Sequence, residues 1–252
     1  MAARLGEPRA ATVPAVSVVI PVRDERENVT ALLGEIDAAA IGRPYEVIFV
    51  DDGSTDGGDA VLDALATRHA HVRVLHHDRS AGQSAAILTG ARHARAPVLA
   101  TLDGDGQNDP AFLPDLLAVL DERPDVGLVA GERERRADRP FKRLASRTAN
   151  ALRRRLLADA TRDTGCGLKA IRREVYLGLP FFDTNHRFLP ALVLREGHAV
   201  VHVPVVDRPR AHGRSKYGVL DRALVGLPDL VGVMWLQRRR RVLPRIREHD
   251  PE

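Results

Sequence analysis

Short apolar runs alternate with helical periodicity through the first half of the chain. Residues 16–20, 46–50, 72–75, 97–102 and 126–130 are compact and dominated by Val, Ile, Leu and Ala. Runs this short, bounded by turn residues, predict buried strands. Between them, apolar residues recur at three- and four-residue spacing, as with Val29, Leu32, Leu33 and Ile36 in the stretch 27–40. Helices are likewise predicted over 59–69, 84–95 and 110–122, the last opened by Pro110 in its first turn. Pro21 is expected to stop the first strand. Apolar strands alternating with helices predict an α/β fold: a mostly parallel, Rossmann-like central sheet with helices on both faces. Ligands bind such sheets at the carboxyl ends of strands. Arg23, Asp52 and Asp103 each follow a strand and should converge on one edge.

The second half is less regular. A basic helical stretch covers 142–157, a turn at 163–169 leads into a short strand, and 200–206 reads as an edge or mixed strand. A polar loop with Gly213 spans 209–217. Residues 219–236 form an amphipathic segment, expected to break at Pro228, that runs into Arg238-Arg239-Arg240-Arg241. The expected organisation is a disordered lead (1–14), one catalytic-sized domain (15–217) and an amphipathic basic C-terminal segment (218–252).

Composition narrows the partners. A chain of 252 residues that is 44% hydrophobic can bury one large α/β core. Its net charge of +4, carried largely by arginine, favours phosphate-bearing ligands or an anionic membrane surface. The single cysteine, Cys166, sits between glycines, excludes an internal disulfide and suits a reducing compartment. Residues 1–14 carry no apolar core of a secretory signal. No stretch approaches the roughly 18 apolar residues of a transmembrane helix. The expectation is a cytoplasmic protein, peripheral on the membrane. His69, His71, His76 and His77 are numerous enough to suggest a metal cluster, but their spacing and polar neighbours predict a solvated surface.

The candidate chemistry lies at Leu102-Asp103-Gly104-Asp105-Gly106-Gln107-Asn108-Asp109-Pro110. A buried strand that releases two carboxylates, spaced i and i+2, into a glycine-rich loop can hold a hard divalent cation against a diphosphate. Alone, the pair reads equally well as a solvated acidic turn. Ser54, Asp56 and Asp109 have the placement of helix caps.

The motifs together are more specific. Val18-Val19-Ile20-Pro21-Val22-Arg23-Asp24-Glu25, Val50-Asp51-Asp52-Gly53-Ser54-Thr55-Asp56 and the Asp103 loop resemble the family 2 glycosyltransferases of GT-A fold. Gly131-Glu132-Arg133, Lys142-Arg143-Leu144-Ala145-Ser146, Asp163-Thr164-Gly165 and the stretch from Arg210 to Lys216 resemble its polyprenyl-phosphate branch, the dolichol-phosphate mannose synthase-like enzymes. The resemblance covers residues 15–220. It implies a nucleotide-sugar donor, UDP- or GDP-linked, seated by Pro21, Arg23, Glu25, Val50, Asp52, Asp103, Gly104 and Asp105. It implies Mg²⁺ or Mn²⁺ on Asp105, with Gln107 and Asp103 beside it. Arg133, Arg210 and Lys216 would gather the donor phosphates. Lys142, Arg143, Ser146, Asp163, His186 and Arg187 would face the acceptor phosphate.

A phosphate monoester is already largely anionic at neutral pH and needs no catalytic base. Asn185-His186-Arg187-Phe188 stands where hydroxyl-acceptor relatives carry a carboxylate base. The expected reaction is therefore inverting, metal-dependent transfer of a sugar to a polyprenyl phosphate, with Asp103, Asp105, Arg133 and Arg210 at its centre. The alternative is a family 2 enzyme acting on a glycan or glycolipid hydroxyl. Acidic strand ends argue against a nucleic-acid partner. Leu224, Leu227, Leu230, Val231, Met234 and Trp235, followed by the arginine run, would lie on an anionic bilayer. Transmembrane helices follow the catalytic domain in many relatives, so dependence on a membrane-protein partner is also expected.

Overall fold

The computed structural model describes residues 13–39, 41–133, 153, 155–157, 159–209 and 219–240, the stretch 219–227 by its backbone alone. Its described strands are β1 (Val16–Val22), β2 (Tyr45–Asp51), β3 (Val72–His76), β4 (Val98–Thr101), β5 (Val126–Arg133), β6 (Lys169–Arg172) and β7 (Ala199–Val205). They form one sheet in the order β3-β2-β1-β4-β6-β5-β7. Every pairing is parallel except those of β6 with β4 and β5. The described α-helices are α1 (Val29–Ala38), α2 (Gly58–Arg68), α3 (Gln83–His93), α4 (Leu113–Glu122), α5 (Arg173–Gly178), α6 (Leu189–Arg195) and α7 (Val219–Arg238). Tighter 3-10 turns lie at Pro110–Phe112 and Asn185–Arg187.

The apolar runs are continuous because the sheet is covered twice. Side chains alternate across a strand. Val18, Ile20, Val47 and Phe49 therefore face one core, built with α1, α2 and α4. Val19, Ile48 and Val50 face the other, built with α3, α5, α6 and the end of α7. Gly90 permits the closest of these approaches: a Cβ there would stand 2.3 Å from Val19 Cγ1, so the α3 backbone lies directly on the Val19 side chain of β1.

Several boundaries differ from expectation. β1 runs through Pro21 to Val22. β4 ends opposite Val19, so Pro21 is paired only to β2 and its missing N–H leaves no gap in a two-sided ladder. β6 is inserted antiparallel inside the sheet, and β7 is a parallel edge strand. α5 and α6 have six and seven residues, too few for periodicity to reveal them. α7 continues through Pro228, which lies exposed, where water can serve the carbonyl its ring leaves unpaired. Asp109 caps the turn that opens α4 by accepting the Ala111 N–H at 2.9 Å, and Asp56 accepts the Gly58 N–H at 2.9 Å at the start of α2.

The histidines are not simply solvated. His71 meets Asp37, His76 bridges Asp51 and Asp63, and His77 bridges Asp52 and Thr89. A ring nitrogen beside a carboxylate is a stronger local constraint than contact with water.

At the amino edge of the sheet a buried carboxylate ties four segments together. Glu46 accepts the Ser17 hydroxyl at 2.7 Å, the Arg95 N–H at 2.7 Å and the Arg73 guanidinium at 2.9 Å. Burial alone would raise the Glu46 carboxyl, but the Arg95 N–H, Ser17 and Arg73 outweigh it and hold it below its ordinary 4.5. Glu46→Ala strands these donors and is expected to lower unfolding free energy by about 3 kcal/mol in urea melts at neutral pH. A carboxyl whose folded pKa is lowered stabilises above its unfolded value and loses that contribution as pH falls through the folded one. The gap between wild type and variant should therefore close below pH 4.5.

Candidate active site at the carboxyl edge of the sheet

From β1 the chain winds outward through β2 and β3, then returns to place β4 on the other side of β1. Such a switch in winding opens a crevice at the carboxyl ends of the two central strands. Leu102 is buried just past β4, and the next residues enter the crevice.

Asp103 is fixed from several sides. Its Oδ1 accepts the Gln83 side-chain amide at 2.8 Å, and its own N–H donates to Asn108 Oδ1 at 3.1 Å. Thr101 Oγ1 donates to the Gly167 carbonyl at 2.7 Å, which draws the segment before β6 against the β4 tip. A Cβ on Gly167 would lie 2.4 Å from the Asp103 carboxylate carbon. Gly104 packs on β1, where its Cβ would stand 3.0 Å from the Pro21 carbonyl oxygen. Asp105, buried, accepts the Gln107 N–H at 3.1 Å, and Gly106 between them takes a φ of +70°.

The electrostatics suit a cation. Burial first, and then the charge of Asp105, push the Asp103 carboxyl up to about 6, against the pull of Lys169, Arg133 and the Gln83 hydrogen bond. A divalent cation between two such carboxylates reverses this repulsion. Among the described residues no three His, Cys, Asp or Glu side chains gather as a ready ligand set. Asp103, Asp105 and the Gln107 amide fit a hard ion that completes its shell with ligand oxygens and water, the habit of Mg²⁺ and Mn²⁺.

Other expected residues take different places. Asp52 accepts His77 Nδ1 at 2.8 Å, Ser80 Oγ at 2.7 Å, and the N–H groups of Ala81 and Gly82 at 2.7 and 2.9 Å. Burial would raise its carboxyl, but these donors hold it below the ordinary range. Asp52 thus shapes the loop between β3 and α3. Arg23 reaches the same loop, donating to Ser80 Oγ at 2.8 Å, and Glu25 accepts the Asn28 amide at 2.6 Å. Val50 is fully buried in the α3-side core, so its side chain offers a nucleotide nothing.

Arg133 was expected to gather phosphates. Its guanidinium instead grips Asp163 through two hydrogen bonds and donates to Asp207 at 2.7 Å. Burial would lower its pKa, yet the two carboxylates raise it. Arg133 is a strut joining β5, the 163–165 turn and the end of β7, and Asp163 is its partner and the acceptor of the Gly165 N–H at 3.1 Å. Asp207 in turn meets the Asn108 amide at 3.3 Å. His186 is packed, with Nδ1 on Ser84 Oγ at 2.7 Å, and burial, then Lys169 and Arg187, press its pKa down to about 3. The ring is neutral and orients its neighbours. Arg187 follows it, half-buried. Lys142, Arg143, Ser146, Arg210 and Lys216 lie outside the described residues.

Sequence reasoning missed Gln83, Ser84, Asn108, Lys169 and Asp207. Asn108 stood inside the metal-loop motif and Lys169 ended the 163–169 turn, but nothing in the pattern marked Asp207. Lys169 is buried and donates to the Cys166 carbonyl; burial lowers its pKa, and its proximity pulls the Asp103 carboxyl downward.

A parallel sheet reversed by one inserted antiparallel strand, with an Asp-Gly-Asp loop at its switch point, is the architecture of GT-A glycosyltransferases. The chain superposes on mannosyl-3-phosphoglycerate synthase from Rubrobacter xylanophilus with a TM-score of 0.71, at 21% identity over 93% of this chain and 77% of that one. It superposes on a Pyrobaculum calidifontis mannosyltransferase in complex with GDP-Man and Mn²⁺ with a TM-score of 0.66, at 22% identity over 94% of this chain and 68% of that one. The sequence model of glycosyl transferase family 2 matches residues 17–178, and the chain belongs to that family. It is 36% identical over 219 residues, 86% of its length, to an undecaprenyl-phosphate 4-deoxy-4-formamido-L-arabinose transferase from Klebsiella pneumoniae, of which it spans 66%.

The close approach at Gly167 generates a test. Gly167→Ala is expected to displace Asp103 and weaken Mn²⁺ binding, followed by electron paramagnetic resonance, at least about tenfold, the loss seen when a supporting contact of a metal ligand is removed.

Proposed function

We propose that this chain transfers a sugar from a nucleotide-sugar donor, UDP- or GDP-linked, to a polyprenyl phosphate, with Mg²⁺ or Mn²⁺ at the Asp103–Asp105 pair and inversion at the anomeric carbon. The observation that carries the reading is that carboxylate pair, held at the switch point in a chain 36% identical to an undecaprenyl-phosphate sugar transferase. The cation, when bound, neutralises the diphosphate and makes it a better leaving group. Gln83 and Asn108 hold Asp103 in register, while the Asp52-anchored loop and the ends of β1 wall the donor side. Arg23 on this edge is assigned to the donor nucleoside, Arg210 and Lys216 to the donor phosphates, and Lys142, Arg143, Ser146 and Arg187 to the acceptor phosphate.

Attack by an acceptor phosphate oxygen forms the new bond to the anomeric carbon as the bond to the nucleoside diphosphate breaks. An α-linked donor gives a β-linked product. No side chain has to remove a proton from an acceptor that is already anionic. This agrees with the carboxylates around the crevice: Asp52 is satisfied by loop donors, and Asp163 and Asp207 are bound to Arg133. Rate enhancement then rests on positioning and charge neutralisation.

The lipid would be met through the outer face of α7. Among the described residues no helix is long and apolar enough to cross a membrane. Of the expected apolar face, Leu230 is buried in the core beside Val233, and Met234 packs against it. Val231 and Trp235 remain 65% and 58% exposed, with Arg239 stacked 5.8 Å over the Trp235 ring and Arg238 and Arg240 exposed beside them. An apolar pair rimmed by arginines suits an anionic bilayer, here the cytoplasmic leaflet.

The test is nucleotide release from a panel of UDP- and GDP-sugars with Mn²⁺, with and without a short polyprenyl phosphate. Release is expected to require the lipid phosphate and to fall by about a hundredfold or more in Asp105→Ala. Release that follows a sugar or lipid hydroxyl instead of the phosphate would overturn the acceptor assignment. In a separate test, Trp235→Ala combined with Val231→Ser is expected to abolish flotation with anionic liposomes. Unchanged flotation would remove the interfacial role of α7.

A further inference from the structure

Only two described non-glycine residues have a positive φ, Asp24 and Thr184. Thr184, at φ 66° and ψ 3°, is the more unusual, because a β-branched side chain crowds its own backbone in the left-handed region. Such a conformation persists only where neighbours over-determine it. Here two carboxylates do so. Asp183 Oδ1 accepts the Thr184 N–H at 2.8 Å, and Thr184 Oγ1 donates to Asp229 Oδ2 of α7 at 2.5 Å.

The turn fixed in this way carries the acceptor-side residues. Arg187 N–H donates to the Thr184 carbonyl at 3.0 Å, and Phe188 N–H to the Asn185 carbonyl at 2.8 Å. His186 closes on Ser84 Oγ, and the residue before Ser84 is Gln83, which holds Asp103. A continuous set of contacts therefore runs from the carboxylate pair through α3 and the 184–187 turn to α7. The helix itself is anchored independently. Arg195 Nε donates to the Leu236 carbonyl and Gln237 Nε2 to the Leu157 carbonyl, each at 2.9 Å, and Leu230 and Val233 are buried.

We propose that Asp229 is a positioning residue for the transfer step, holding Thr184 in the left-handed conformation that packs His186 on Ser84 and so sets Arg187 beside the acceptor phosphate. The proposal rests on the polyprenyl-phosphate reading above. It makes the seating of α7 a condition of acceptor engagement, while the donor side, built on β1, β2 and β4, keeps anchors of its own in Asn108 and the Asp52 loop.

The test uses the full chain and two substitutions. Asp229→Ala is expected to lower kcat/KM for a short polyprenyl phosphate by about ten- to a hundredfold, with Mn²⁺-dependent binding of UDP or GDP unchanged, as expected for a displaced positioning contact. Glycine adopts the left-handed conformation without an anchor. Thr184→Gly in the Asp229→Ala background should therefore recover most of the lost transfer. Hydrogen exchange supplies a readout independent of activity: the Arg187 and Phe188 amides should lose protection in Asp229→Ala and regain it in the double variant. Wild-type transfer by Asp229→Ala, or no recovery in the double variant, would overturn the proposal. If the wild type transfers to no polyprenyl phosphate, the functional reading fails and takes the acceptor role with it, while exchange still decides whether Asp229 holds the turn.

Discussion

The Asp103 carboxylate rests against bare backbone. No side chain fits at residue 167, because its Cβ would stand 2.4 Å from that carboxylate. This contact lets β6 enter the sheet antiparallel between β4 and β5, with Thr101 fastening the approach through the Gly167 carbonyl. It also fixes the site's electrostatics. The carboxyl is desolvated, lies near Asp105 and is underlain by buried Lys169. Two acidic groups confined in this way keep their charge at a cost that a divalent cation would remove, so the architecture of the sheet and the electrostatics of the carboxylate pair have one origin.

Around that contact, buried charge occurs in compensated sets. Glu46 at the amino edge, Asp52 at the loop before α3 and the Arg133 strut each join segments distant in sequence. Breaking any one would leave a buried ion without its partner, the costly way to lose such a pair. The sets differ in what they do. Glu46 lies far from the crevice and serves stability. Asp52 and Arg133 shape the crevice walls.

Much of the fold was legible because the sheet obeys simple periodicity. Five apolar runs gave five strands, since residues buried on both faces must be apolar at every position. The convergence of Arg23, Asp52 and Asp103 followed from parallel strands alone. Short elements were harder: α5 and α6 have too few residues to repeat a pattern, and Pro21 and Pro228 were read as breaks although the one-sided pairing of β1 and the exposure of α7 tolerate them. The histidines looked solvated because nothing local shows that Asp37, Asp51, Asp52 and Asp63 lie opposite them.

By itself, then, the sequence determined the class of fold, the family and the carboxylate pair, because each is written in local order: apolar runs, glycine turns and residues two apart. Tertiary structure alone decided which polar groups are already satisfied. Arg133 is joined to Asp163, Asp52 to the loop before α3 and His186 to Ser84, and none of this was legible, since these partners lie 30, 25 to 30 and 102 residues away along the chain. Hydrogen-bond satisfaction is a property of space, and no pattern along one strand or helix records what folds against it.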